Sequence, residues 1–292
     1  MRFRALLALV LVSLTGCERV IDITLPSSTP RLVVEARLER VRGAVNGNQS
    51  IQLTISDSYF SRSAPTPVLD AIVRVVDSTG RVFPFVASGV KPGVYETSAL
   101  SIERGRGYTL RITWRGDEYA STERVAAAVP IARLFFTAAE SQSIVGVGPP
   151  ASGGGLRASI DFTDPKGVAN FYLWDQFIDG QRIVATDTTQ FGFYRAVASD
   201  EFFDGVSVET FQPYGGVRVR SGQRVVVRQI AISAQAYRFY YTLSSQAINN
   251  GSPFSVPPTS VRGNVANETT PSRLALGYFM VSEVSQAQLL VP

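Results

Sequence analysis

Two groups of carboxylates are the side chains of this sequence whose type and spacing could do chemistry. Asp161 and Asp164 lie in Asp-Phe-Thr-Asp-Pro, and Asp200, Glu201 and Asp204 lie in Asp-Glu-Phe-Phe-Asp-Gly. Carboxylates grouped on a loop offer the oxygen ligands that Ca²⁺ prefers, and a pair about 5 to 10 Å apart across a cleft could hydrolyse a glycoside. Neither segment has the ligand spacing of a known calcium loop, and Asp-Pro and Asp-Gly are common in turns. Solvated turns are therefore the preferred interpretation, and a metal site is the alternative.

The residue types that most enzymes use are missing from this chain. Its 292 residues include no His and a single Cys, which excludes a Ser-His-Asp triad, a Cys-His pair and imidazole ligands for zinc. A phosphate-binding loop follows a strand and opens a helix. The glycine-containing segments 105–107 and 153–155 do not have this position, so they are interpreted as turns. We therefore predict a protein that is not an enzyme and that binds no cofactor.

The net charge is too small to indicate a nucleic-acid partner. The chain has 28 basic and 24 acidic residues, and only Lys91 and Lys166 are lysines. Removal of Arg2 and Arg4 with a signal peptide leaves 26 basic residues against 24 acidic ones. Nucleic-acid binding needs a concentrated basic face, so we expect no nucleic-acid partner.

One group of arginines alternates with valine, in the order Arg218, Arg220, Arg224 and Arg228. Alternation places each pair on one face of a strand. Such a face could receive anionic lipid headgroups or an acidic patch of a partner. A solvated strand face that discourages edge pairing is the preferred interpretation.

The first 17 residues have the pattern of a bacterial lipoprotein signal. A basic start is followed by the apolar run 5–12, which is too short to span a bilayer as a helix. Leu-Thr-Gly-Cys at 14–17 then fits the lipobox, whose Cys is alkylated by diacylglycerol. We predict a signal peptide over 1–16, lipidation at Cys17, and a tether over 17–30. Two or three acyl chains would hold the chain to a membrane, so the membrane is one predicted partner.

The elements that must position these side chains are mainly β-strands. Apolar and polar residues alternate over 51–55 and 108–114, and turn residues interrupt the pattern at 77–80, 91–93 and 116–117. Short strands about ten residues apart, without a helical period between them, are typical of an antiparallel sandwich. The predicted fold class is all-β, with an immunoglobulin-like or transthyretin-like N-terminal domain over 31–129.

A second β-rich domain with one amphipathic helix is predicted over 130–292. The glycine-rich segment 141–155 reads as a loop inside it. Residues 233–249 have apolar side chains at helical spacing, a capping Ser233 and a stop signal at 249–251. Tyr237 and Tyr241 could line a ligand or partner surface, but an aromatic stripe more often packs on a sheet. The other predicted strands are 131–137, 156–162, 170–177, 191–197, 224–232, 277–281 and 288–291.

Several short motifs together resemble the Bacteroidetes lipoproteins grouped as domain of unknown function 4249. Their shared order along the chain carries the resemblance, which covers essentially all of the sequence after the signal. The motifs are at residues 17–23, 30–35, 92–95, 107–112, 161–165, 172–174, 237–240, 254 with 257–258, 261–264 and 276–279.

The resemblance implies an outer-membrane lipoprotein whose family is often associated with TonB-dependent transporters, and it carries over no catalytic residues. We expect a lipid-anchored, noncatalytic protein of the cell envelope, on the periplasmic or the cell-surface face. It would bind a ligand or serve as an accessory subunit of a TonB-dependent transporter barrel. A carboxylate-dependent enzyme acting on envelope polymers and a structural or adhesive module are the alternatives.

Overall fold

A computed structural model describes residues 29–44, 47–58, 61, 63–138, 155–183, 196–247 and 259–292. The predicted signal peptide, Cys17 and the glycine-rich residues 141–154 lie outside these ranges, so the predictions made for them stay predictions. Within the described part, Pro30–Asp57 and Ser61–Pro292 form one compact unit.

The predicted all-β class is confirmed. The described helix, α1, covers Ala234–Ala247. The strands are β1 (Leu32–Val41), β2 (Gln49–Ile55), β3 (Thr66–Pro67), β4 (Ile72–Asp77), β5 (Val82–Ala87), β6 (Val94–Thr97), β7 (Gly107–Trp114), β8 (Asp117–Arg124), β9 (Arg133–Ala138), β10 (Leu156–Thr163), β11 (Phe171–Ile178), β12 (Gln181–Arg182), β13 (Ala196–Ser199), β14 (Ser207–Phe211), β15 (Arg224–Ala231), β16 (Ala266–Asn267) and β17 (Leu276–Leu290).

The described strands form one long sheet and one short sheet. The long sheet has the order β12-β11-β15-β17-β1-β2-β6-β5-β4-β7-β8-β16, with β13 also beside β11 and β3 beside β2. The short sheet has the order β14-β10-β9. β1 and β17 pair in parallel, with Val34 opposite Gly277. The strand that begins the described fold is thus joined to the strand that ends it.

Three hydrophobic clusters fill the spaces between these layers. In the first, alternate residues of β7, from Tyr108 to Trp114, are buried as the period of two predicts. The second cluster lies around Phe162, Tyr172 and Trp174, between β11 with β15 and the short sheet. The third packs α1 against β11, β15 and β17. The helix and the two sheets are therefore held by apolar burial, which is the main favourable term in folding.

The two predicted closing strands at 277–281 and 288–291 are one strand of 15 residues, β17. The polar stretch between them suggested a break, but Ser282, Glu283 and Ser285 are buried within the strand. Glu283 accepts the Ala128 N–H (2.9 Å) and pairs with Arg104 (2.6 Å). Ser285 accepts the Ile131 N–H (2.9 Å). Buried polar groups are tolerated when they are hydrogen-bonded, so the contacts of Glu283 and Ser285 allow the strand to continue through this stretch.

β17 also takes part in the packing on both sides of the predicted boundary between residues 129 and 130. Phe279 and Val281 belong to the first cluster, whereas Tyr278 and Met280 belong to the third. The two faces of one strand alternate, so a single strand contributes to both clusters. The division into domains at residue 129 stays a prediction.

Candidate functional site

A cavity of about 650 Å³ lies between α1 and the β1–β2 surface, and we call it the α1 groove. Val33, Glu35 and Arg37 of β1 line it, together with Ser50 and Gln52 of β2. These β1 residues alternate with buried residues of the first hydrophobic cluster. The groove is therefore built on the sheet face opposite the core.

Helix α1 supplies the aromatic wall of the groove through Phe239 and Tyr240. The predicted cap is present, because the Ser233 hydroxyl accepts the Ala236 N–H (3.1 Å) and satisfies one free donor of the first turn. The ring of Phe239 lies 4.9 Å from that of Tyr278 on β17. The helix is thus fixed at its start and by ring packing on the sheet.

Five charged side chains form what we call the groove ion-pair network. Arg37 binds Asp175 (2.7 Å) and Glu39, and Asp175 also binds Arg182 (2.5 Å). Arg228 completes the network by binding Glu39 (2.6 Å). Arg37 and Arg182 line the α1 groove, whereas the Asp175 side chain is only 1% exposed. A buried carboxylate therefore holds two arginines in place at the groove.

The network fixes the charge of its members near neutral pH. Burial opposes ionisation of Glu39 and Asp175, but the charges of their arginine partners outweigh it and lower the pKa of both carboxyls. Burial likewise opposes the charge on Arg37, yet Glu39 and Asp175 raise its pKa. Burial raises the pKa of Tyr240 to about 12, so its hydroxyl stays protonated.

A further cation and a further anion line the groove outside the network. Lys91 lies in the turn between β5 and β6, and Glu35 lies on β1. Both side chains are exposed, and neither has an ion-pair partner within the described ranges. These two charges are therefore available to a molecule in the groove.

A buried carboxyl, Glu123 of β8, lies behind the groove residue Tyr278. It accepts hydrogen bonds from the Tyr278 hydroxyl (2.6 Å), Ser233 (3.2 Å) and Asn264 (3.2 Å). Burial raises the pKa of Glu123, although these neutral donors act in the opposite direction. Glu123 thus joins β8, β17 and the start of α1.

Replacement of Glu123 by Gln is expected to change how stability depends on pH. Above the ordinary pKa of a glutamate, the unfolded chain has lost this proton while the folded chain still holds it. The contribution of Glu123 to the free energy of unfolding should therefore fall as pH rises toward the folded pKa, by at most about 1.4 kcal/mol per pH unit. Urea unfolding of both proteins from pH 4 to 8 measures this, and parallel curves would contradict it.

Two glycines allow close packing beside the groove. Gly277 has φ +83, and a Cβ there would lie 2.1 Å from the Val34 carbonyl oxygen of the paired strand. A Cβ on Gly263 would lie 1.8 Å from the Gly277 carbonyl oxygen. The next residue, Asn264, pairs with the Phe279 backbone by donating to its C=O (2.8 Å) and accepting its N–H (2.9 Å). The motifs at 261–264 and 276–279 are therefore one packed unit.

The structure brings together three of the five carboxylates considered as metal ligands. One oxygen each of Asp164, Asp200 and Asp204 lies within 4.8 Å of the others. Ca²⁺ takes six to eight oxygen ligands, more than the three carboxylate groups of this cluster. Each of the three carboxylates also accepts hydrogen bonds from the chain. The donors are the Tyr172 hydroxyl and the Gly205 N–H to Asp164, the Asn170 N–H to Asp200, and the Gly167 N–H to Asp204.

The other two carboxylates lie apart from this cluster. Asp161 binds Arg133 (2.7 Å) and accepts the Thr210 N–H (2.8 Å), and these contacts hold its pKa below the usual value. Glu201 is exposed and lines a smaller cavity of about 340 Å³. The three clustered carboxylates, by contrast, join neighbouring loops by accepting backbone hydrogen bonds.

The four arginines predicted to share strand faces are separated. Arg218 and Arg220 lie outside the named strands, because the turn at Gly222 (φ +81) comes between them and β15. Arg224 begins β15 and is exposed. Arg228 is largely buried in the groove ion-pair network, so its charge faces Glu39 instead of solvent.

The two tyrosines predicted on the helix as a ligand or partner surface do not line the groove. Tyr237 packs on Phe171 at 5.4 Å and on Tyr241 at 5.7 Å between ring centres. Tyr237 lines the same smaller cavity as Glu201, whereas Tyr241 is exposed. Tyr240 is the helix tyrosine that faces the α1 groove.

Sequence reasoning did not select Arg37, Glu39, Asp175 or Arg182. Their one local signal is in β1, where Glu35, Arg37 and Glu39 alternate with apolar residues over 32–39. A charged face of a strand usually indicates solvent, so this signal favoured the wrong environment. Asp175 lies 138 positions from Arg37, and no local pattern relates them.

No helix in the described ranges is long and apolar enough to cross a membrane.

Comparisons with known proteins identify a family. No curated protein matches the chain. Among solved structures it is similar to a DUF4785 family protein from Legionella pneumophila, at 12% identity and a TM-score of 0.22. The match covers 68% of this chain and 52% of that one, so the chain spans about half the length of that protein. The family described as "Domain of unknown function (DUF4249)" matches residues 18–288, and the chain therefore belongs to this family.

Proposed function

We propose that the protein is a noncatalytic lipoprotein of the Bacteroidetes outer membrane that binds a ligand in the α1 groove as the accessory subunit of a TonB-dependent transporter. The observation that carries the binding role is the groove itself. Its volume of about 650 Å³ falls within the range of small-molecule sites, and aromatic walls with a few charged groups are typical of them. A purely structural or adhesive module would need no such cavity.

The predicted anchor supports the membrane location. Cys17 precedes the first strand, which starts at Leu32, by a segment that could extend about 50 Å at 3.3–3.6 Å per residue. A tether of this reach would let the folded part meet a partner at some distance from the bilayer. The carboxylate-dependent enzyme remains the alternative prediction.

The experiment is recovery of the protein from its native membrane with its partners. The wild-type protein should bring down an outer-membrane barrel of the TonB-dependent class in stoichiometric amount. The Cys17→Ala variant, which cannot be lipidated, should lose membrane attachment and recover much less of the barrel. Recovery of free monomer alone from wild-type membranes would contradict the accessory role.

A further inference from the structure

We propose that the α1 groove takes an amphiphile with one carboxylate, whose apolar body lies along α1 and whose charge lies near Lys91, Arg37 and Arg182. This inference deepens the proposed function and rests on its binding role. The ligand class follows from the shape, the apolar surface and the sum of charges in the groove.

The apolar body has apolar side chains to lie against on both sides of the groove. Phe239, Tyr240 and Leu243 occupy one side of the groove, and Val33 and Leu276 lie on the sheet side. Aromatic and branched side chains facing each other across a cavity favour a chain or ring between them, because burial of apolar area is favourable at about 25 cal/mol per Å². A small hydrophilic ion would leave this apolar surface in contact with water and would not gain this free energy.

The charges select an anion. The cations at the groove are Arg37, Lys91 and Arg182 in the lining and Arg228 in the ion-pair network, and the carboxylates are Glu35 in the lining and Asp175 and Glu39 in the network. Four positive and three negative charges leave a formal charge of one positive unit. Uncompensated charge in a partly buried site favours a counter-charge on the ligand.

The size of the excess selects a monoanion. A phosphate monoester carries about −1.5 to −2 charges near neutral pH, which exceeds the single positive charge available. A carboxylate carries one negative charge, which equals the single positive charge available. The groove therefore fits a carboxylate better than a phosphate monoester. The apolar body can be an alkyl chain or an aromatic ring.

The test is calorimetric titration of the full mature chain in nanodiscs of zwitterionic lipid, with empty nanodiscs as the blank. Octanoate represents an alkyl body and 3-phenylpropanoate an aryl body, whereas octan-1-ol and octylammonium lack the negative charge. At least one carboxylate should bind about tenfold or more tightly than octanol, and octylammonium should bind most weakly. The stronger carboxylate identifies which kind of body the groove prefers.

Substitutions of the charged lining residues test whether each charge favours or opposes carboxylate binding. Lys91→Ala should weaken carboxylate binding about threefold, as expected for an exposed charge, and Arg182→Gln about tenfold. Glu35→Gln should strengthen it about threefold. Lys166→Ala is the matched control, because it removes the other lysine of the chain at a site away from the groove. Gln52→Trp, at an exposed lining position, should block binding of every probe.

Each other outcome overturns a defined part of the inference. Equal binding of octanol and octanoate, unchanged by the three charge variants, would reject the carboxylate and keep the groove as an apolar site. Absence of binding by every probe would reject the amphiphile. Recovery of the transporter barrel from native membranes is scored separately, so loss of this inference and loss of the accessory role are distinguishable.

Discussion

The Gly277→Ala variant is expected to lose about 4 kcal/mol of unfolding free energy, a large share of the 5–15 kcal/mol typical of a folded protein. Two costs combine at this residue. A side chain at φ +83 is strained by about 1 kcal/mol, and its Cβ would overlap the Val34 carbonyl oxygen at 2.1 Å. Because that oxygen belongs to the paired strand β1, the overlap can be relieved only if β1 and β17 separate.

Gly80→Ala is the matched control for this variant. Gly80 has φ +88, and a Cβ there meets no atom within 4 Å. The control therefore contains the backbone strain without the overlap and should lose about 1 kcal/mol. Guanidinium unfolding of both variants measures the difference. Equal losses would mean that the strands adjust freely and that the close contact of β1 with β17 contributes little.

The Asp175→Asn variant is expected to lose about 3 kcal/mol at neutral pH. Asn keeps the volume but removes the charge that Arg37 and Arg182 both bind. Removing one partner of a buried ion pair is destabilising by about 3–5 kcal/mol. The lower end applies here, because the two arginine side chains are 21% and 29% exposed.

The loss should shrink at acid pH. The folded-state pKa of Asp175 is lowered, so its contribution is present above the unfolded pKa of about 3.9 and is lost as pH falls through the folded pKa. Urea unfolding at pH 7 and pH 3 gives both values. Asp161→Asn is the control, since Asp161 pairs with an Arg133 that is 63% exposed, and it should lose less than about 1 kcal/mol. A loss for Asp175→Asn as small as the control would contradict a buried network.

The sequence predicted the elements whose pattern is local. The alternation at 51–55 and 108–114 corresponds to β2 and β7, and the aromatic stripe after Ser233 corresponds to α1 with its cap. These predictions succeeded because strand and helix periods depend on neighbouring residues alone. The same reasoning divided β17 in two, since the hydrogen-bond partners of its buried Glu283 and Ser285 lie more than 150 positions away in sequence.

The carboxylates show how much of a site can be predicted from residue types alone. Their grouping at 161–164 and 200–204 is local to each segment, and the fold is what brings Asp164 together with Asp200 and Asp204. Asp161 lies apart from this cluster and binds Arg133. Arg228 lies apart from the other three arginines and binds Glu39, which lies 189 positions earlier. Which charge meets which depends on strand pairing.

The sequence by itself determined the β-rich class, the turns, the helix and the absence of histidine chemistry, because composition and short-range periodicity decide these properties. Only the tertiary structure decided the parallel pairing of β1 with β17, the burial of Glu123 and Asp175, and the assembly of the α1 groove from β1, the β5–β6 turn, β12 and α1. The physical reason is that these features depend on contacts between elements far apart in sequence, such as Val34 with Gly277 and Arg37 with Asp175. Their contacts are set by packing and charge compensation across the sheet, which no local pattern of residues contains.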